Sequence, residues 1–251
     1  MQAAILLAFP LGAAVGSFLN VVVHRLPRGE SVVRPRSRCP SCQTPIAPLD
    51  NVPIVSYLLL GGRCRSCGAA ISLRYPLVEL TTAVLFSGLV AARWPDPRLA
   101  LWLPFAGLLV AAAAIDLEHR IIPNKLLLAG TAYVVAAAPI VARAHLGELL
   151  LAGAGSFVAF LLIALAYPAG IGMGDVKLAG VMGLYLGIGV IPALFVAFLA
   201  GALVGVALIA REGRGARKRG VPFGPFLALG GVVGIVAGPE LVDLYRQTFL
   251  V

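Results

Sequence analysis

Two aspartates lie at the ends of long apolar stretches, where a carboxylate is costly to hold. Asp116 follows the apolar run 99–115, and Asp175 closes the sequence Gly172-Met173-Gly174-Asp175 between two other runs. Two carboxyl groups held close together cannot both ionise, so they share a proton. The ionised one can activate water, and the protonated one can polarise a peptide carbonyl and later protonate the leaving amine. We therefore predict that Asp116 and Asp175 form one catalytic pair.

Roles without catalysis would also account for acids at these positions. A carboxylate in the first turn of a helix is favoured by capping and by the helix dipole, which would account for Asp175 alone. Paired acids inside a membrane also serve proton-coupled carriers. The sequence shows no clear internal repeat, which argues against a carrier. A structural membrane protein, the third class, would not need acids at the ends of two separate spans.

The composition indicates a membrane protein. Apolar residues make up 60% of the 251 residues and charged residues 12%, whereas soluble domains carry roughly 25% charged residues. Runs of about 17 to 25 apolar residues, long enough to cross a bilayer, recur along the chain. The first run has no basic residues before it, which favours a retained helix over a cleaved signal peptide. Eight spans are predicted, at 4–23, 77–93, 99–115, 125–143, 147–167, 176–190, 191–210 and 224–245.

Basic residues predict the orientation of these spans. With the N-terminus outside, one side receives all but four of the 20 lysines and arginines; the exceptions are Arg93, Arg98, Arg143 and Arg246. The positive-inside rule makes that side cytoplasmic, and both aspartates lie on it. The net charge of +9 is therefore mainly a topology signal. Nucleic-acid binding is not predicted, because no basic helix or aromatic stacking pattern accompanies the charge.

All four cysteines lie in one polar insertion between the first two spans. They form Cys39-Pro40-Ser41-Cys42 and Cys64-Arg65-Ser66-Cys67, separated by residues 43–63. Two Cys-x-x-Cys turns at this spacing predict a four-thiolate zinc site, which leaves no open position for catalysis and is structural. Disulfides are the alternative, disfavoured in a reducing cytoplasm. The predicted fold is thus an all-α polytopic membrane protein with a small cytoplasmic zinc-binding loop domain.

Several further residues have two possible roles. Asn20 provides either an interhelical hydrogen bond or a site residue, and Glu79 is either an interfacial acid or a functional one. The broken backbone at 222–226 is predicted to border the aspartate site. Small-residue faces for helix packing are predicted at Gly12 and Gly16, at Gly201 and Gly205, and at Gly230, Gly234 and Gly238.

The chain resembles the type IV prepilin peptidases, bifunctional leader peptidases and N-methyltransferases of bacterial inner membranes. The resemblance covers nearly the whole chain. It rests on the order and spacing of several motifs: Gly16 to Pro27, the two cysteine pairs, Asp50-Asn51-Val52-Pro53, Arg74 to Leu80, Asp116 to Pro123, Gly172 to Leu178, and Pro222 to Pro225.

The resemblance implies a Gly-x-Gly-Asp aspartic protease with Asp116 and Asp175 as its catalytic pair. Its substrates would be prepilins and the pseudopilins of type II secretion, cleaved after a glycine at the cytoplasmic membrane face. It also implies that the new amine, usually on phenylalanine, is methylated with S-adenosylmethionine. Asn51, Gly62 and Glu79 are candidates for binding this methyl donor, and the segment 24–75 is the expected location of its site.

The expected organisation follows from these assignments. Residues 1–23 form the first transmembrane helix, 24–75 the four-cysteine zinc-binding insertion, and 76–251 the transmembrane aspartic protease core. The protein is expected to lie in the bacterial inner membrane, with several spans, an outside N-terminus and a cytoplasmic active site. Its expected partners are the lipid bilayer and the prepilin and pseudopilin substrates, and no oligomeric state is predicted.

Overall fold

A computed structural model describes residues 1–167, 170–213 and 220–249. Pro168, Ala169 and the basic residues Arg214, Arg217, Lys218 and Arg219 lie outside the described residues. The described chain is helical and has no β-strand, and it divides into unit 1, Met1–Pro95, and unit 2, Asp96–Val251. Its helices are α1 (Gln2–Arg25), α2 (Val55–Leu59), α3 (Arg74–Arg93), α4 (Leu99–His119), α5 (Asn124–Val141), α6 (Leu146–Ala166), α7 (Met173–Leu186), α8 (Val190–Glu212) and α9 (Gly224–Phe249).

Seven helical stretches within the described residues are long and apolar enough to cross a membrane. One of them, Met173–Glu212, is 40 residues long and contains the two predicted spans 176–190 and 191–210. A 3₁₀ turn at Gly187–Gly189 interrupts it, and Gly187 has a φ of +56° that favours glycine. The stretch is therefore two helices, α7 and α8. The chain is an all-α polytopic membrane protein, as predicted.

In unit 1, α1 and α3 pack closely because α1 presents glycines to α3. A Cβ atom on Gly12 would lie 2.7 Å from the Cα of Ala83, and one on Gly16 would lie 2.6 Å from the Cα of Glu79. The absence of a side chain lets the two backbones approach, as the Gly-x-x-x-Gly pattern predicts. The amide of Asn20 adds an interhelical hydrogen bond, donating from Nδ2 to the Tyr75 carbonyl at 3.0 Å. The packing predicted at Gly12 and Gly16 is confirmed, and Asn20 makes the interhelical hydrogen bond that was one of its two predicted roles.

The long connection between α1 and α3 is folded mainly by polar contacts. The buried Arg25 donates to the carbonyls of Ser31 at 3.0 Å and Pro35 at 2.9 Å, which fixes the start of the connection. A 3₁₀ turn at Pro48–Asn51 and the short helix α2 follow. The predicted domain bounds at residues 24 and 76 stay a prediction, and the structure describes α1, this connection and α3 within one unit.

In unit 2, α4 is the most buried helix, and it packs on α9, α5 and α7. Its side chains at Phe105, Leu109 and Ile115 are fully buried. A Cβ atom on Gly231 of α9 would lie 2.6 Å from Leu109, so this glycine allows α9 to contact α4. The core of unit 2 is therefore built around the helix that ends at Asp116.

The predicted glycine faces in the second half of the chain are confirmed except at Gly205. Gly230 and Gly234 face Ala193 of α8, and Gly238 lies against Gly189. By contrast, a Cβ atom on Gly205 would meet no atom of the described residues within 4 Å, so the packing role predicted for Gly205 is wrong for this part of the chain. Spacing alone cannot tell which turns of α8 face α9 and which face away.

Hydrogen bonds fix the end of α7 that is distant from Asp175. The indole Nε1 of Trp102 donates to the Tyr185 carbonyl at 3.2 Å, and the Tyr185 hydroxyl donates to the Gly130 carbonyl at 2.7 Å. A carboxylate oxygen of Glu148 accepts from the N–H of Ile188 at 2.8 Å. Helices α4, α5 and α6 thus hold one end of α7, which sets the position of its other end.

The α1–α3 contact gives a first prediction. We expect Gly16→Ala to lower the free energy of unfolding by about 1–3 kcal/mol, because the new methyl group overlaps the α3 backbone. The apparent Tm in detergent would report this loss. Gly88→Ala in α3 is the matched control, since its Cβ would lie more than 4 Å from every neighbouring atom in the described part of the chain. Equal Tm values for the two variants would contradict the packing described here.

Candidate active site and metal centre

Asp116 is held by a backbone donor at the start of α9. It lies near the end of α4 with 6% of its surface exposed, and its Oδ2 accepts from the N–H of Gly224 at 2.8 Å. A Cβ atom on Gly224 would also lie 2.8 Å from Oδ2, so only glycine leaves room for the carboxyl group. The segment 222–226 thus borders Asp116, as predicted. The bond uses one carboxyl oxygen and leaves Oδ1 for another partner.

Asp175 lies in the first turn of α7, where the Gly-x-Gly motif folds around it. Its Oδ2 accepts from the N–H of Gly172 at 3.3 Å, and its own N–H donates to the Gly172 carbonyl at 3.0 Å. This reciprocal arrangement is the capping predicted as the alternative role of Asp175. Capping fixes the carboxyl group in place and is compatible with a chemical role.

Contacts between α7 and the α4–α5 connection bring the two aspartates into one region of unit 2. Gly174 fits against Ile122, where a Cβ atom would lie 3.1 Å from the isoleucine Cβ. The Lys177 ammonium donates to Asn124 Oδ1 at 2.9 Å. The first turn of α7, which carries Asp175, therefore lies beside the residues that follow Asp116.

A row of aromatic rings lies next to Gly224. Phe160, Phe198, Phe223 and Phe226 follow one another with ring centroids 5.4, 5.4 and 6.1 Å apart. Gly201 of α8 makes room for Phe223, whose ring would lie 3.2 Å from a Cβ atom there. The row connects α6, α8 and α9, and it fixes the turn that delivers the Gly224 N–H to Asp116.

The four cysteines form one cluster in unit 1. Their sulfur atoms all lie within 4.8 Å of one another, and the sulfurs of Cys39 and Cys67 are 3.9 Å apart. A tetrahedral zinc ion with bonds of about 2.3 Å separates its sulfur ligands by about 3.8 Å. The thiols are free. The cluster therefore fits a metal ion, and the disulfide alternative is not what the structure contains.

The two cysteine turns share one backbone design. In each turn the N–H of the first cysteine bonds to a carbonyl five residues later, from Cys39 to Thr44 and from Cys64 to Ala69. The residue after each second cysteine has a positive φ, 57° at Gln43 and 70° at Gly68. Each turn therefore curls its two thiols toward the same point. Hydrogen bonds from the side chain and backbone of Thr44 lower the pKa of the Cys42 thiol to about 6, which favours the thiolate that a metal requires.

An ion pair joins the second cysteine turn to the preceding 3₁₀ turn. The guanidinium of Arg65 donates to both carboxylate oxygens of Asp50, with the closest contact at 2.7 Å. The hydrogen bond from Arg65 holds the pKa of Asp50 below its usual value. Because the Arg65 side chain is largely exposed to solvent, the pair orients the connection more than it stabilises it.

A cleft of about 610 Å³ opens in unit 1 beside the cysteine turns. Its volume is in the range of small-molecule sites. Two of the three residues predicted to bind the methyl donor, Asn51 and Glu79, line the cleft, and Gly62 does not. Gly62 instead has a φ of +68° and supports Tyr57, whose hydroxyl oxygen would lie 2.8 Å from a Cβ atom on Gly62.

The residues that bind Glu79 were not predicted from the sequence. The carboxylate Oε2 of Glu79 accepts from the N–H of Ile54 at 2.7 Å, and the Ser17 hydroxyl also bonds to this carboxylate. Neither partner has a signal in the sequence. Ile54 contributes a backbone group that any residue type carries, and Ser17 is one small residue within an apolar run.

Sequence comparison with known proteins gives two family matches. Residues 11–93 match the model of the bacterial peptidase A24 N-terminal domain, and residues 103–208 match the model of the type IV leader peptidase family. The chain belongs to the type IV leader peptidase family. The two matches fall within unit 1 and unit 2, respectively. No solved structure gives a significant match.

Its curated relatives carry the name prepilin leader peptidase/N-methyltransferase. A relative from Bacillus subtilis is 34% identical over 96% of this chain and 98% of its own length. A relative from Pseudomonas aeruginosa is 35% identical over 94% of this chain and 91% of its own length. A relative from Aeromonas salmonicida is 33% identical over 97% of this chain and 94% of its own length. Each match extends over nearly the whole of both chains.

The cysteine cluster gives a second prediction. We expect the purified protein to hold one metal ion per chain, and Cys64→Ser to lose most of it because a thiolate ligand is removed. Elemental mass spectrometry would measure the metal content. Ser66→Ala, within the same turn, is the control and should keep the ion. A wild-type protein that stays metal-free when purified under reducing conditions with zinc present would show that the cluster does not bind a metal.

Proposed function

We propose that the chain is an aspartic endopeptidase that removes the leader of type IV prepilins and type II secretion pseudopilins after a glycine. The observation that carries this proposal is the placement of Asp116 and Asp175 at neighbouring helix ends of unit 2, each held by a backbone N–H. The names of the relatives support the substrate class. Among the residues that the structure describes, no basic side chain forms a salt bridge with either aspartate. The two carboxyl groups can therefore share one proton.

The proposed reaction needs only the two carboxyl groups and water. The ionised carboxylate takes a proton from water as the water oxygen attacks the scissile carbonyl, while the other carboxyl group donates its proton to the carbonyl oxygen. When the tetrahedral intermediate collapses, the carbon–nitrogen bond breaks, the nitrogen gains a proton from one carboxyl group, and the carbonyl oxygen returns its proton to the other. The pair is then singly protonated again. The Gly172 and Gly224 N–H groups hold both carboxyl groups in place throughout.

We further propose that this reaction takes place at the cytoplasmic face of the bacterial inner membrane, with the N-terminus outside. Arg120, Lys125 and Lys177 flank the two aspartates, and the positive-inside rule places such residues on the cytoplasmic side. A substrate with a basic leader and an apolar helix presents its scissile bond at that depth. The leader itself carries positive charge, so packing of the substrate helix is the more favourable basis for recognition.

Substitution of either aspartate tests the peptidase proposal. We expect Asp116→Asn and Asp175→Asn each to lower the cleavage rate at least about a hundredfold, because an amide cannot exchange the proton. Mass spectrometry of a prepilin-like substrate after incubation would identify the new N-terminus. Glu118→Gln, an exposed acid near Asp116, is the control and should cleave normally. Full cleavage by either asparagine variant would exclude the proposed pair.

The Gly224 contact gives a separate prediction. We expect Gly224→Ala to lower the cleavage rate by about ten- to a hundredfold, because its methyl group displaces the Asp116 carboxyl group. Gly205→Ala in α8 is the matched control, since its Cβ would meet no atom of the residues that the structure describes within 4 Å. The same cleavage assay applies to both variants. If both variants cleave at the wild-type rate, then Asp116 does not depend on the Gly224 N–H for its position.

We propose a second activity, N-methylation of the new amine, in the cleft of unit 1. S-Adenosylmethionine supplies a methyl group on a positively charged sulfur, which keeps the bonding electron pair when the methyl is transferred. The new amine first gives a proton to water. Its nitrogen then forms a bond to the methyl carbon as the carbon–sulfur bond breaks, which leaves a methylated ammonium group and a neutral thioether. The cleft has the volume for such a ligand, and it carries a buried acid, Glu79, as well as Asn51. The name that the relatives share supports this assignment.

The metal in this proposal is a structural zinc ion bound by Cys39, Cys42, Cys64 and Cys67. Four thiolates complete its coordination, so the ion has no open position for substrate. Residues of both cysteine turns, among them Cys39 and Cys64, line the cleft. We therefore propose that the zinc ion stabilises the folded wall of the cleft. On this proposal, 24–75 forms the methyl-transfer insertion and 76–251 carries the protease core.

A further inference from the structure

The cleft of unit 1 contains a buried carboxylate with no cation beside it among the described residues. Glu79 has 8% of its surface exposed and lines the cleft. Its partners in the described part of the chain are neutral donors, the Ile54 N–H and the Ser17 hydroxyl. A buried carboxylate is normally paired with a cation because its desolvation is costly. A carboxylate that lines a cleft without such a partner can receive a cation from a ligand.

A second hydrogen-bond acceptor of the cleft lies on the neighbouring helix, α1. Asn20 is 1% exposed and lines the same cleft, and its Nδ2 donates to the Tyr75 carbonyl. That bond fixes which side of the amide carries the oxygen. The Oδ1 atom then has no hydrogen-bond partner among the described residues. Native structures rarely leave a buried acceptor unpaired, so an acceptor of this kind points to a missing donor.

The backbone that contacts Glu79 is strained. Ile54 has φ +64° and ψ −52°, and the N–H of Val55 donates to the Pro53 carbonyl at 2.6 Å. This is a three-residue γ-turn with positive φ, which is rare and costly for a β-branched residue. Strained backbone is found at ligand-binding positions that the surrounding structure holds in place. Here the Glu79 carboxylate holds the strained turn at the wall of the cleft.

We propose that this cleft binds a primary ammonium group, with Glu79 supplying the negative charge and Asn20 Oδ1 a neutral acceptor. An ammonium group offers three donors and one positive charge, which fits one carboxylate and one amide oxygen. The proposal deepens the methyl-transfer activity proposed above and rests on it for the identity of the ligand. Two molecules in that reaction carry this group: the cleaved substrate at its new N-terminus, and the methyl donor on its amino-acid part.

Binding measurements with paired probes test this proposal on the full chain in detergent. One pair is a peptide that begins at the residue after the scissile bond, with a free or an acetylated amine. The other pair is S-adenosylhomocysteine and its analogue with hydrogen in place of the α-amino group. We expect the wild type to bind the amine-bearing member of one pair at least about tenfold more tightly, because a charge-assisted hydrogen bond is lost with the amine.

Two variants connect this preference to Glu79. Glu79→Gln keeps an oxygen acceptor for the Ile54 N–H but removes the charge, and it should abolish the preference. Glu30→Gln, an exposed acid that lines the same cleft, should retain it. The apparent Tm of Glu79→Gln in detergent serves as the folding control and should equal that of the wild type.

The outcomes separate the ligand sources and the two proposals. A preference in the peptide pair assigns the ammonium group to the cleaved substrate, and one in the nucleoside pair assigns it to the methyl donor. No preference in either pair, or a preference that survives in Glu79→Gln, overturns the inference. A preference that depends on Glu79 in a protein that transfers no methyl group would support ammonium binding and reject the proposed methylation.

Discussion

The cost of holding carboxylates among apolar helices is the constraint on which both units depend. Asp116, Asp175 and Glu79 all lie on helices that can cross a membrane, and each accepts a backbone N–H from a turn or from the start of a helix. Helical N–H groups are used within the helix, so only turns and helix starts have one to spare. The breaks in the helical structure are therefore the places where acids can be kept.

Glycines decide whether those backbone donors can come close enough. Gly224 brings its N–H to Asp116 because it has no side chain, and Gly16 lets the α1 backbone contact α3 at Glu79 for the same reason. In both places an added methyl group would overlap the carboxyl group or the backbone that carries it. Close helix packing and the placement of acids thus depend on the same feature, a glycine that lets a backbone approach. Gly16→Ala and Gly224→Ala both act by adding a methyl group to such a contact.

The connection between α1 and α3 depends on polar anchors in place of an apolar core. Arg25 fixes its start, the Asp50–Arg65 pair fixes its middle, and the two cysteine turns bring four thiols within 4.8 Å. A segment of this kind gains much of its order from a bound metal ion. The Ile54 turn, whose strain must be offset by neighbouring contacts, belongs to the same connection.

The sequence by itself determined the helical membrane class, the cysteine cluster, the Gly12–Gly16 packing face and the closeness of residues 222–226 to Asp116. These follow from composition, residue spacing and the cost of polar groups in a membrane, which are local properties. Only the tertiary structure decided that the Gly224 N–H contacts Asp116, that Gly205 packs on nothing among the described residues, and that Ile54 binds Glu79. These contacts use backbone atoms common to all residues, or depend on how a helix is rotated about its axis, and neither leaves a pattern of residue types.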